Sequence, residues 1–434
     1  MDRRDFLVRG AALGAGALAL PACVGGGREG AAAPAAPAAA PGSWEAVREE
    51  FALARDRVHM TGFLLVSHPR VVREAIERHR RAFDDDPATY LEENWGRYER
   101  EVRAGATEYL GAGVDEVAMT DSTTMGLGIV YGGLELRPGQ EILTTTHDHL
   151  VTHLSLEMRG KRSGIVPRKV ALYDRPEAAS ADEMAARLAK AITPATRIIA
   201  LTWVHSGTGV KLPIRALSEV VARANAGRAE ADRAVLFVDG VHGFGNQPEA
   251  AASLGADFFI AGCHKWIFGP RGTGLVWARK DAWPVTSPII VSFDAAWRPE
   301  PLDQQPAAAW MTPGGFHSFE HRWALAQAFE MHRGLGRERV AARIAELNTR
   351  CKHGLAELRK VKVRTPMAAA LSAGIICFEV DGLKPDEVMK RLAARKVVAS
   401  VTPPFYDPPY ARLAPSLLTL EADVDRAVAA VAEL

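Results

Sequence analysis

Cysteine is scarce in this sequence, and neither sign of charge is in excess. The four cysteines among 434 residues stand at positions 23, 263, 351 and 377 without paired spacing, which argues against a disulfide framework and against a CxxC metal site. The 53 basic and 52 acidic side chains give a formal net charge of +1. No overall field therefore recruits nucleic acid or an anionic membrane, and the 48% of hydrophobic residues is ordinary for a globular protein.

The N-terminus also lacks an apolar run that could span a bilayer, because the run at residues 11–20 is too short. The basic start with Arg3 and Arg4, followed by this run, is typical of an export signal and resembles the twin-arginine type. We therefore expect residues 1–23 to be a signal and the protein to be exported to the periplasm. A disordered, alanine-rich extension is the alternative.

The residues that precede Cys23 resemble a lipobox, which would place a lipid on that cysteine and anchor the protein to the membrane. Residues 24–42 are rich in alanine, glycine and proline. This composition predicts a semi-rigid linker between the possible anchor and the folded protein.

The chain is long enough for two structural domains, since single hydrophobic cores rarely grow beyond about 250 to 300 residues. From residue 116 onward, short apolar strands alternate with amphipathic helices, as in a mostly parallel sheet covered by helices on both faces. After about residue 310 long helices dominate instead. We therefore predict an α/β fold, with an N-terminal segment and a large domain at residues 43–309 and a smaller α+β domain at residues 310–434.

Periodicity also predicts individual elements outside the sheet. Apolar residues at helical spacing predict helices at residues 44–57 and 94–110. A continuous apolar run predicts one last core strand at residues 397–401.

Another apolar run, at residues 257–262, ends shortly before the pair His264 and Lys265 and is typical of a buried strand. A lysine that is desolvated at the end of such a strand loses its preference for the charged form. Its amine then becomes available as a nucleophile or Schiff-base partner. The alternative is a lysine whose aliphatic stem covers the edge of the core while its ammonium reaches water.

Two further features point to a ligand for that amine. Residues 235–238 form an apolar run that ends in Asp239, and a buried carboxylate there needs a cationic partner. Ser122, Thr123 and Thr124 place hydroxyls at a predicted helix start, which suits a phosphate. Pyridoxal phosphate (PLP) requires an amine, an acid beside its pyridine nitrogen and an anchor for its phosphate. The sequence therefore predicts PLP as the cofactor.

These residues occur in motifs that resemble the class V aminotransferases of fold type I, within the isopenicillin N epimerase-like branch near the cysteine desulfurases. The motifs are Asp239-Gly-Val-His242, Cys263-His264-Lys265-Trp266 and Gly269-Pro-Arg-Gly-Thr-Gly274. The resemblance extends from about residue 61 to the C-terminus. It implies a fold type I, PLP-dependent enzyme that works as a homodimer on an amino-acid-like small molecule.

The resemblance also assigns a role to each matched residue. Lys265 would hold the cofactor as an internal aldimine and shuttle the proton at Cα, and Arg412 would bind the substrate carboxylate. The other residues would bind the cofactor: Asp239 at the pyridinium, His242 at the ring hydroxyl, His149 stacked on the ring, and Ser122, Thr123 and His264 at the phosphate.

The sequence departs from this family at three places. Trp203 stands where many relatives have Asn or His, and Gly262 stands where desulfurases have a phosphate-binding serine. The family's Gly-Thr pair, which contacts the phosphate of the partner subunit, is replaced here by residues 315–316, so that contact would pass to His317 or Ser318.

The absence of cysteine from residues 352–376 argues against a desulfurase that forms a persulfide. We therefore predict an enzyme that acts at Cα of an amino acid, as an aminotransferase or in an isopenicillin N epimerase-like reaction. Elimination of the C–S lyase or desulfurase kind is one alternative. A catalytically degenerate protein that serves as an exported binding module is another.

A zinc site is the remaining alternative, since His147, His149 and His153 lie close together around Asp148. No HExxH pattern occurs and no cysteine is nearby. We therefore predict no metal.

Overall fold

The computed structural model describes residues 42–434. The predicted signal, the candidate lipobox at Cys23 and the predicted linker up to residue 41 lie outside the described residues and stay predictions. Within residues 42–434, no helix combines the length and the apolar character needed to cross a bilayer.

The strands, in chain order, are β1 (Val58–His59), β2 (Val117–Thr120), β3 (Glu141–Thr145), β4 (Arg168–Val170), β5 (Thr196–Thr202), β6 (Val235–Asp239), β7 (Phe258–Gly262), β8 (Gly274–Ala278), β9 (Val361–Val363), β10 (Ile376–Val380), β11 (Val397–Val398), β12 (Ser400–Val401) and β13 (Ala411–Leu413). The α-helices are α1 (Trp44–Glu49), α2 (Arg70–Asp85), α3 (Pro87–Leu110), α4 (Thr123–Gly132), α5 (Leu150–Ser163), α6 (Ala181–Ala191), α7 (Ile214–Ala224), α8 (Phe293–Ala296), α9 (Ala307–Trp310), α10 (Phe319–Leu335), α11 (Arg337–Ala356), α12 (Pro385–Ala394) and α13 (Glu421–Ala432).

The central sheet has seven strands in the order β2-β8-β7-β6-β5-β3-β4. The pairs from β7 through β6, β5 and β3 to β4 are parallel, whereas β8 runs antiparallel to both of its neighbours. This arrangement confirms the prediction of an α/β fold with a mostly parallel sheet.

Both faces of this sheet are buried, which explains why its strands are almost entirely apolar. Successive side chains of a strand point to opposite faces. Ile199 and Leu201 therefore join a core with residues of α3, α6 and α7, while Ile198 and Ala200 join a second core with residues of α4 and α5. Helices thus cover both faces, and the ends of the strands are the places left for polar groups.

The C-terminal part contains a smaller antiparallel sheet in the order β12-β13-β10-β9. Helices α11, α12 and α13 pack with it in a separate core. The N-terminal strand β1 pairs in parallel with β11, so the N-terminal segment is joined to the C-terminal part of the chain rather than to the central sheet. The predicted domain boundary at residues 309 and 310 stays a prediction.

Two local predictions are wrong in their extent. The helix predicted at residues 44–57 ends at Glu49, because Phe51 forms a bridge to Pro69 and packs on the ring of Phe268 with centroids 5.1 Å apart. The run at 397–401 is two strands rather than one. Its first part pairs with β1 and its second part with β13.

The helix predicted at residues 94–110 begins earlier, at Pro87. The carboxylate of Asp86 accepts a hydrogen bond from the N–H of Thr89 at 3.2 Å, and proline is favoured at the first position of a helix, where its missing N–H costs nothing. The end of the helix at Leu110 agrees with the prediction, because Gly111 adopts the left-handed conformation that ends a helix (φ +68°).

A fully buried lysine on α11 holds the segment that precedes β10. The Nζ of Lys352 donates hydrogen bonds to the carbonyl oxygens of Pro366 and Met367, at 2.8 and 3.0 Å, and to the Oγ of Ser372 at 2.6 Å. All three donors of the ammonium are therefore used. Residues 366–372 are fixed to the helix by one side chain.

We predict that Lys352→Met destabilises the fold by roughly 2 kcal/mol or more, because two buried acceptors and one partly buried acceptor would lose their donor. Chemical denaturation of the purified protein measures this change as a lower midpoint. Lys360→Met, which removes an exposed lysine just after the same helix, is the matched control and should leave the midpoint unchanged. Equal midpoints for the two variants would contradict the anchoring role of Lys352.

Candidate active site

The polar residues expected at the site lie beyond the carboxyl ends of β5, β6 and β7. Thr202 is paired in register with Asp239, the last residue of β6, and β7 ends at Gly262, three residues before Lys265. Because these strands are parallel, their ends meet at one edge of the sheet, where a cavity of about 140 Å³ opens. Its lining consists of Ser122, Thr123, Thr124, Leu127, His149, Val151, Thr202, Ser206, Asp239, Val241, His242, His264 and Lys265.

The predicted site residues are thus brought together, with the exception of Arg412, which lies behind the lining. This placement agrees with the proximity expected from the sequence. The role of each residue toward a cofactor or substrate stays a prediction.

Burial determines the ionisation of Lys265. It lowers the pKa of this amine below the ordinary value of 10.5, an effect that the charge of Asp239 opposes and the charge of Arg412 reinforces. The Nζ of Lys265 lies 3.4 Å from the Nε2 of His242, whose own pKa is lowered by burial and by Lys265. A neutral imidazole can accept a hydrogen bond from the lysine, so the amine is oriented without being held by a carboxylate.

Asp239 is the carboxylate of the same cavity. Burial raises the pKa of this carboxyl above the ordinary value of 3.8. Two groups lower the pKa and so oppose this effect: the N–H of Val241, which donates to Oδ1 at 3.2 Å, and the charge of Lys265. Asp239 and Lys265 therefore stabilise each other's charged forms, while burial favours both neutral forms. A ligand that offers a cationic N–H to Asp239 would compensate the desolvation of the carboxylate.

The N-terminus of α4 forms a second side of the cavity. The Oγ of Ser122 caps this helix by accepting a hydrogen bond from the N–H of Met125 at 3.1 Å, and the Oγ1 of Thr123 accepts one from the N–H of Gly262 at 2.7 Å. The ten-residue helix directs its unpaired N–H groups and the positive end of its dipole toward this point. Hydroxyls beside such an end suit a phosphate.

Steric crowding explains why a residue without a side chain stands at position 262. A Cβ atom there would lie 3.0 Å from the Oγ1 of Thr123 and 3.0 Å from the Cε1 of His264. A serine side chain at this position would therefore displace the two residues that the sequence assigns to the phosphate.

His149 lies on a third side of the cavity, at the start of α5. Its Nδ1 accepts a hydrogen bond from the N–H of Val151 at 3.2 Å, and its ring meets the ring of Phe405 edge-on at 5.1 Å. Burial, with the charges of Lys265 and Arg412, lowers the pKa of His149 to about 4. The imidazole is therefore neutral at physiological pH, as a ring that stacks on another ring should be.

The preceding residue, Asp148, fixes His149 in place. Its Oδ2 accepts hydrogen bonds from the Oγ1 of Thr144 and the N–H of Thr145, both at 2.7 Å, and its Oδ1 accepts one from the N–H of Thr202 at 2.8 Å. These bonds, together with His205 at 3.7 Å, hold the pKa of Asp148 well below its ordinary range despite burial. One carboxylate therefore ties the ends of β3 and β5 together next to the cavity.

Arg412, on β13, is buried and already donates two hydrogen bonds to backbone carbonyl oxygens. Its guanidinium donates to the carbonyl oxygens of Ser206 at 2.9 Å and Val401 at 2.6 Å, and it lies over the ring of Phe63 at 4.5 Å from the centroid. The Nε of Arg412 has no hydrogen-bond partner within residues 42–434. The arginine is thus positioned near the cavity with donor capacity to spare.

Trp203, which the sequence indicated as an altered site residue, lies in the core instead. Its ring packs edge-on against that of Phe259 at 6.1 Å, and it takes no part in the lining. The residue of this loop that does line the cavity is Ser206, whose Oγ lies 3.0 Å from the hydroxyl of Tyr406. The direction of a loop after a strand is set by tertiary contacts, so spacing alone did not identify Ser206.

The segment that replaces the family's Gly-Thr pair faces a different cavity. Phe316, His317 and Ser318 line a space of about 260 Å³ with Arg322. His317 is turned toward Glu99, with its Nε2 3.5 Å from the carboxylate. A contact of His317 or Ser318 with a second subunit stays a prediction.

The three histidines considered as metal ligands bond to separate backbone groups. The Nε2 of His147 lies 3.0 Å from the carbonyl oxygen of Tyr173, and the Nε2 of His153 lies 2.8 Å from that of Thr145. Within residues 42–434, no cluster of three His, Cys, Asp or Glu side chains is arranged to hold a metal ion.

The residues of the cavity fit the PLP predicted from the sequence. The site contains a half-buried amine, a buried carboxylate and hydroxyls at a helix N-terminus, which are the three groups that PLP requires. Two more buried atoms, the Nδ1 of His242 and the Oγ1 of Thr202, have no hydrogen-bond partner within the described part of the chain. Since buried polar atoms are normally paired, these two indicate a polar ligand in the cavity.

Comparison with known proteins supports PLP as the cofactor. The family model described as Aminotransferase class-V matches residues 89–401. An isopenicillin N epimerase of Amycolatopsis lactamdurans is 28% identical over 295 residues, which cover 65% of this chain and 70% of the relative. A second isopenicillin N epimerase, from Streptomyces clavuligerus, is 24% identical over 369 residues, or 82% of this chain and 90% of the relative. A probable cysteine desulfurase of Mycolicibacterium paratuberculosis is 24% identical over 309 residues, which cover 68% of this chain and 42% of the relative.

Solved structures share the fold. A mutant of C-DES with glycine covalently linked to its PLP cofactor matches with a TM-score of 0.80 at 21% identity, covering 89% of this chain and 99% of that one. The cystine C-S lyase C-DES in complex with cysteine persulfide matches with a TM-score of 0.78 at 21% identity, covering 88% and 98% of the two chains. The fold type I prediction is confirmed.

The ionisation of Lys265 can be tested through attachment of the cofactor. We predict that PLP links to the apoenzyme faster as the pH rises, with a midpoint below 10.5, because the attacking amine must be unprotonated and burial lowers its pKa. Arg412→Gln should move the midpoint to higher pH, since the charge of Arg412 contributes to the lowering. The measurement is the mass gained by the peptide that contains residue 265 after borohydride reduction at a series of pH values.

Two variants complete this experiment. Lys265→Ala should gain no cofactor mass, whereas Lys280→Ala, which removes an exposed lysine nearby in the chain, should gain as much as the wild type. A midpoint at or above 10.5, or a label on another lysine, would contradict the assignment. A wild-type protein that takes up no PLP would support the degenerate binding module instead.

Proposed function

The chain belongs to the aminotransferase class V family, and from that premise we propose that it removes and returns the proton at Cα of an amino acid, in a reaction of the isopenicillin N epimerase type. It is a PLP-dependent enzyme of this family. The observation that carries the proposal is the half-buried amine of Lys265, which lies in the cavity beside neutral His242 and has a lowered pKa. Such an amine can serve as a general base at neutral pH.

PLP, when bound, supplies an electron sink that weakens the bonds at Cα of a substrate joined to it. Asp239 would hold a proton at the pyridine nitrogen, since its buried carboxylate needs a cationic partner. Ser122, Thr123 and the N-terminus of α4 would hold the phosphate. His149 would cover one face of the ring with a neutral imidazole.

Lys265 would take the proton from Cα with its amine and return it. The transfer is favoured because the free amine and its protonated form are close in energy when burial lowers the pKa of a lysine toward the working pH. His242, 3.4 Å away, can accept a hydrogen bond from the lysine in either state and keeps its Nζ in the cavity.

Arg412 would orient the substrate by its carboxylate. Its guanidinium is held by two backbone carbonyls and by the ring of Phe63, so little conformational entropy is lost when it takes up an anion. Its spare Nε–H can donate to that anion. Phe405 and Tyr406 flank the same region near His149, and they give the substrate side an aromatic wall.

The described cysteines do not support persulfide chemistry. Cys263, Cys351 and Cys377 are buried, and burial raises the pKa of each thiol. A thiol attacks as its thiolate, so these three are poor nucleophiles. The segment at residues 366–372 has no cysteine and is fixed by Lys352. These facts favour proton transfer over desulfuration.

The reaction type is tested with the holoenzyme in deuterated water. We predict that members of a panel of L-amino acids and isopenicillin N exchange the Cα proton for deuterium and lose optical purity, because Lys265 would return a solvent-derived proton. Mass spectrometry and chiral chromatography measure the two changes, and Lys265→Ala should lower the exchange rate by about 1,000-fold or more.

Other products of the same panel would contradict the proposal in recognisable ways. Release of sulfide, pyruvate or alanine from cysteine or cystine would indicate elimination or desulfuration. Stoichiometric formation of a keto acid would indicate transamination.

An exposed apolar patch supports the homodimer implied by the family. Residues 289–302 and the neighbouring Phe316 expose large apolar side chains, and Phe316 contacts Phe293 with ring centroids 5.8 Å apart. The exposed fractions are 51% for Ile289, 43% for Ile290, 77% for Val291, 61% for Trp297, 58% for Leu302 and 68% for Phe316. Clustered exposure of this kind is typical of an interface. We propose that a second copy of the chain covers it.

We predict that the double change Trp297→Glu and Phe316→Glu converts a dimer into monomers, because it would bury two unpaired charges in the interface. Light scattering of a chain that begins at residue 43 measures the mass. Met367→Glu, at an exposed apolar position outside the patch, is the control and should remain a dimer. A wild-type monomer, or a dimer that survives the double change, would contradict the proposal.

A further inference from the structure

A second cavity, of about 410 Å³, lies between α11 and the segment that precedes β10. It shares none of its lining residues with the cavity of Lys265. Its polar lining residues include Lys211, Gln247 and Asn348, and its apolar lining residues include Ala341, Ala345 and Ala373. No step of the proposed reaction uses these residues.

The walls of this cavity are held in place without a ligand. The N–H of Lys211 donates to the carbonyl oxygen of Leu371 at 2.9 Å, and Val210 forms a bridge with Ser372. Lys352 fixes the same segment to α11 from the other side. A preformed cavity costs little ordering entropy on binding.

The lining of the cavity includes a cation without a close anion among the described residues. The half-buried Lys211 donates to the neutral amide of Gln247 (Nζ to Oε1, 2.7 Å), and no ion pair within 4.0 Å joins Lys211 to a carboxylate of the described residues. Burial lowers the pKa of this lysine, and the charge of Glu249 opposes the effect only in part. An anion beside the ammonium would compensate its desolvation.

Asn348 adds a second donor to this cavity. Its side chain is 2% exposed, and its Nδ2 has no hydrogen-bond partner within residues 42–434. A buried amide without a partner is uncommon and indicates a missing acceptor. Lys211 and Asn348 together therefore favour a ligand with an anionic acceptor.

The shape of the cavity selects the rest of the ligand. The part of α11 that lines it runs from Glu338 to Thr349, which is about 16 Å at 1.5 Å per residue. Lys211 is joined through residues 371–372 to the end of α11 that contains Lys352, whereas Glu338 lies near the start of the helix. A carboxylate at Lys211 with an apolar chain along the alanines fits this layout, and Glu338 would repel a second carboxylate at the far end.

We propose that this cavity is a second ligand site, that it takes a small monocarboxylate with an apolar chain, and that its occupancy is linked to the cofactor site. The link is a chain of hydrogen bonds. Gln247, which accepts from Lys211, donates through Nε2 to the Oδ1 of Asn246 at 3.0 Å, and the Nδ2 of Asn246 donates to the carbonyl oxygen of His242 at 2.8 Å. A ligand that draws Lys211 away from Gln247 would act on the residue that contacts Lys265.

A close contact provides a second connection between the two sites. Gly374 lines the second cavity, and a Cβ atom at this position would lie 2.5 Å from the ring of Trp266, the neighbour of Lys265. The backbone at Gly374 therefore packs directly on the residue next to the amine. Movement of this wall would be transmitted by packing as well as by hydrogen bonds.

Calorimetric titration of the full-length holoenzyme with hexanoate tests the site. We expect binding that is at least about tenfold weaker for hexanamide, which has the same shape without the charge, and at least about tenfold weaker in Lys211→Met. Ala345→Met retains Lys211 and places a larger side chain in the apolar part of the cavity, so it should weaken binding as well. Because residue 345 is an exposed helix position, this variant tests the site even if Lys211→Met folds poorly.

Arg412→Gln separates this site from the active site. Hexanoate binding should persist in Arg412→Gln if the ligand lies at Lys211. Binding that is lost in Arg412→Gln but kept in Lys211→Met would place the carboxylate in the active site and overturn the proposal. Equal affinities for hexanoate and hexanamide, or no binding at all, would overturn it too.

The link is tested by titrating hexanoate into the holoenzyme and into the apoenzyme. We expect dissociation constants that differ by about fivefold or more, since coupled sites change each other's affinity reciprocally. Asn246→Ala, which removes the bond to His242, should bring the two constants closer together. Equal constants for the wild type would overturn the link between the sites.

Discussion

The site depends on two opposite charges, one buried and one half-buried, that lie at or just beyond the ends of neighbouring strands and line one cavity without forming an ion pair. Asp239 ends β6, and Lys265 follows the end of β7 by three residues. Burial disfavours the charge of each group, and each favours the charge of the other. An ion pair at contact distance would leave a stable lysine with little reactivity. Two charged groups that line a cavity without pairing are both available to interact with a ligand.

The surrounding framework places these two groups in the lining of one cavity. Helices cover both faces of the central sheet, so only its strand ends can hold polar groups, and the parallel pairing of β5, β6 and β7 brings those ends together. Asp148 joins the ends of β3 and β5 through three hydrogen bonds. The carboxylate of Asp148 is saturated with donors and stays charged, whereas that of Asp239 accepts from Val241 and keeps capacity for a ligand. Two buried carboxylates thus serve different purposes because their hydrogen-bond partners differ.

The sequence predicted the parts of this arrangement that depend on local physics. Apolar runs that end in Asp239 and before Lys265 are recognisable because strands buried on both faces exclude polar residues until they end. The hydroxyls of Ser122 and Thr123 were recognisable because they begin a helix. The sequence did not predict which distant segments contact each other. The run at 397–401 divides between two sheets, and Trp203 turns into the core while Ser206 reaches the cavity, because contacts from distant segments decide each direction.

Local sequence features and contacts from distant segments also have different consequences for function. The local features identify the cofactor, whereas the distant contacts select the reaction. Lys265, Asp239 and the start of α4 follow from strand and helix ends, and relatives with several named activities share the family and the fold. The bond that breaks depends on how the substrate is oriented. In the proposed site that orientation would come from Arg412, Phe405 and Tyr406 in one C-terminal segment and from Phe63, which is distant in sequence and lies under the guanidinium of Arg412. Within the described part of the chain, the cysteines are buried and the segment at residues 366–372 is fixed by Lys352, whereas the side chain of Lys265 lines the cavity and the Nε of Arg412 has no hydrogen-bond partner. The proton transfer proposed at Cα requires an amine in the cavity, and this chain places Lys265 there.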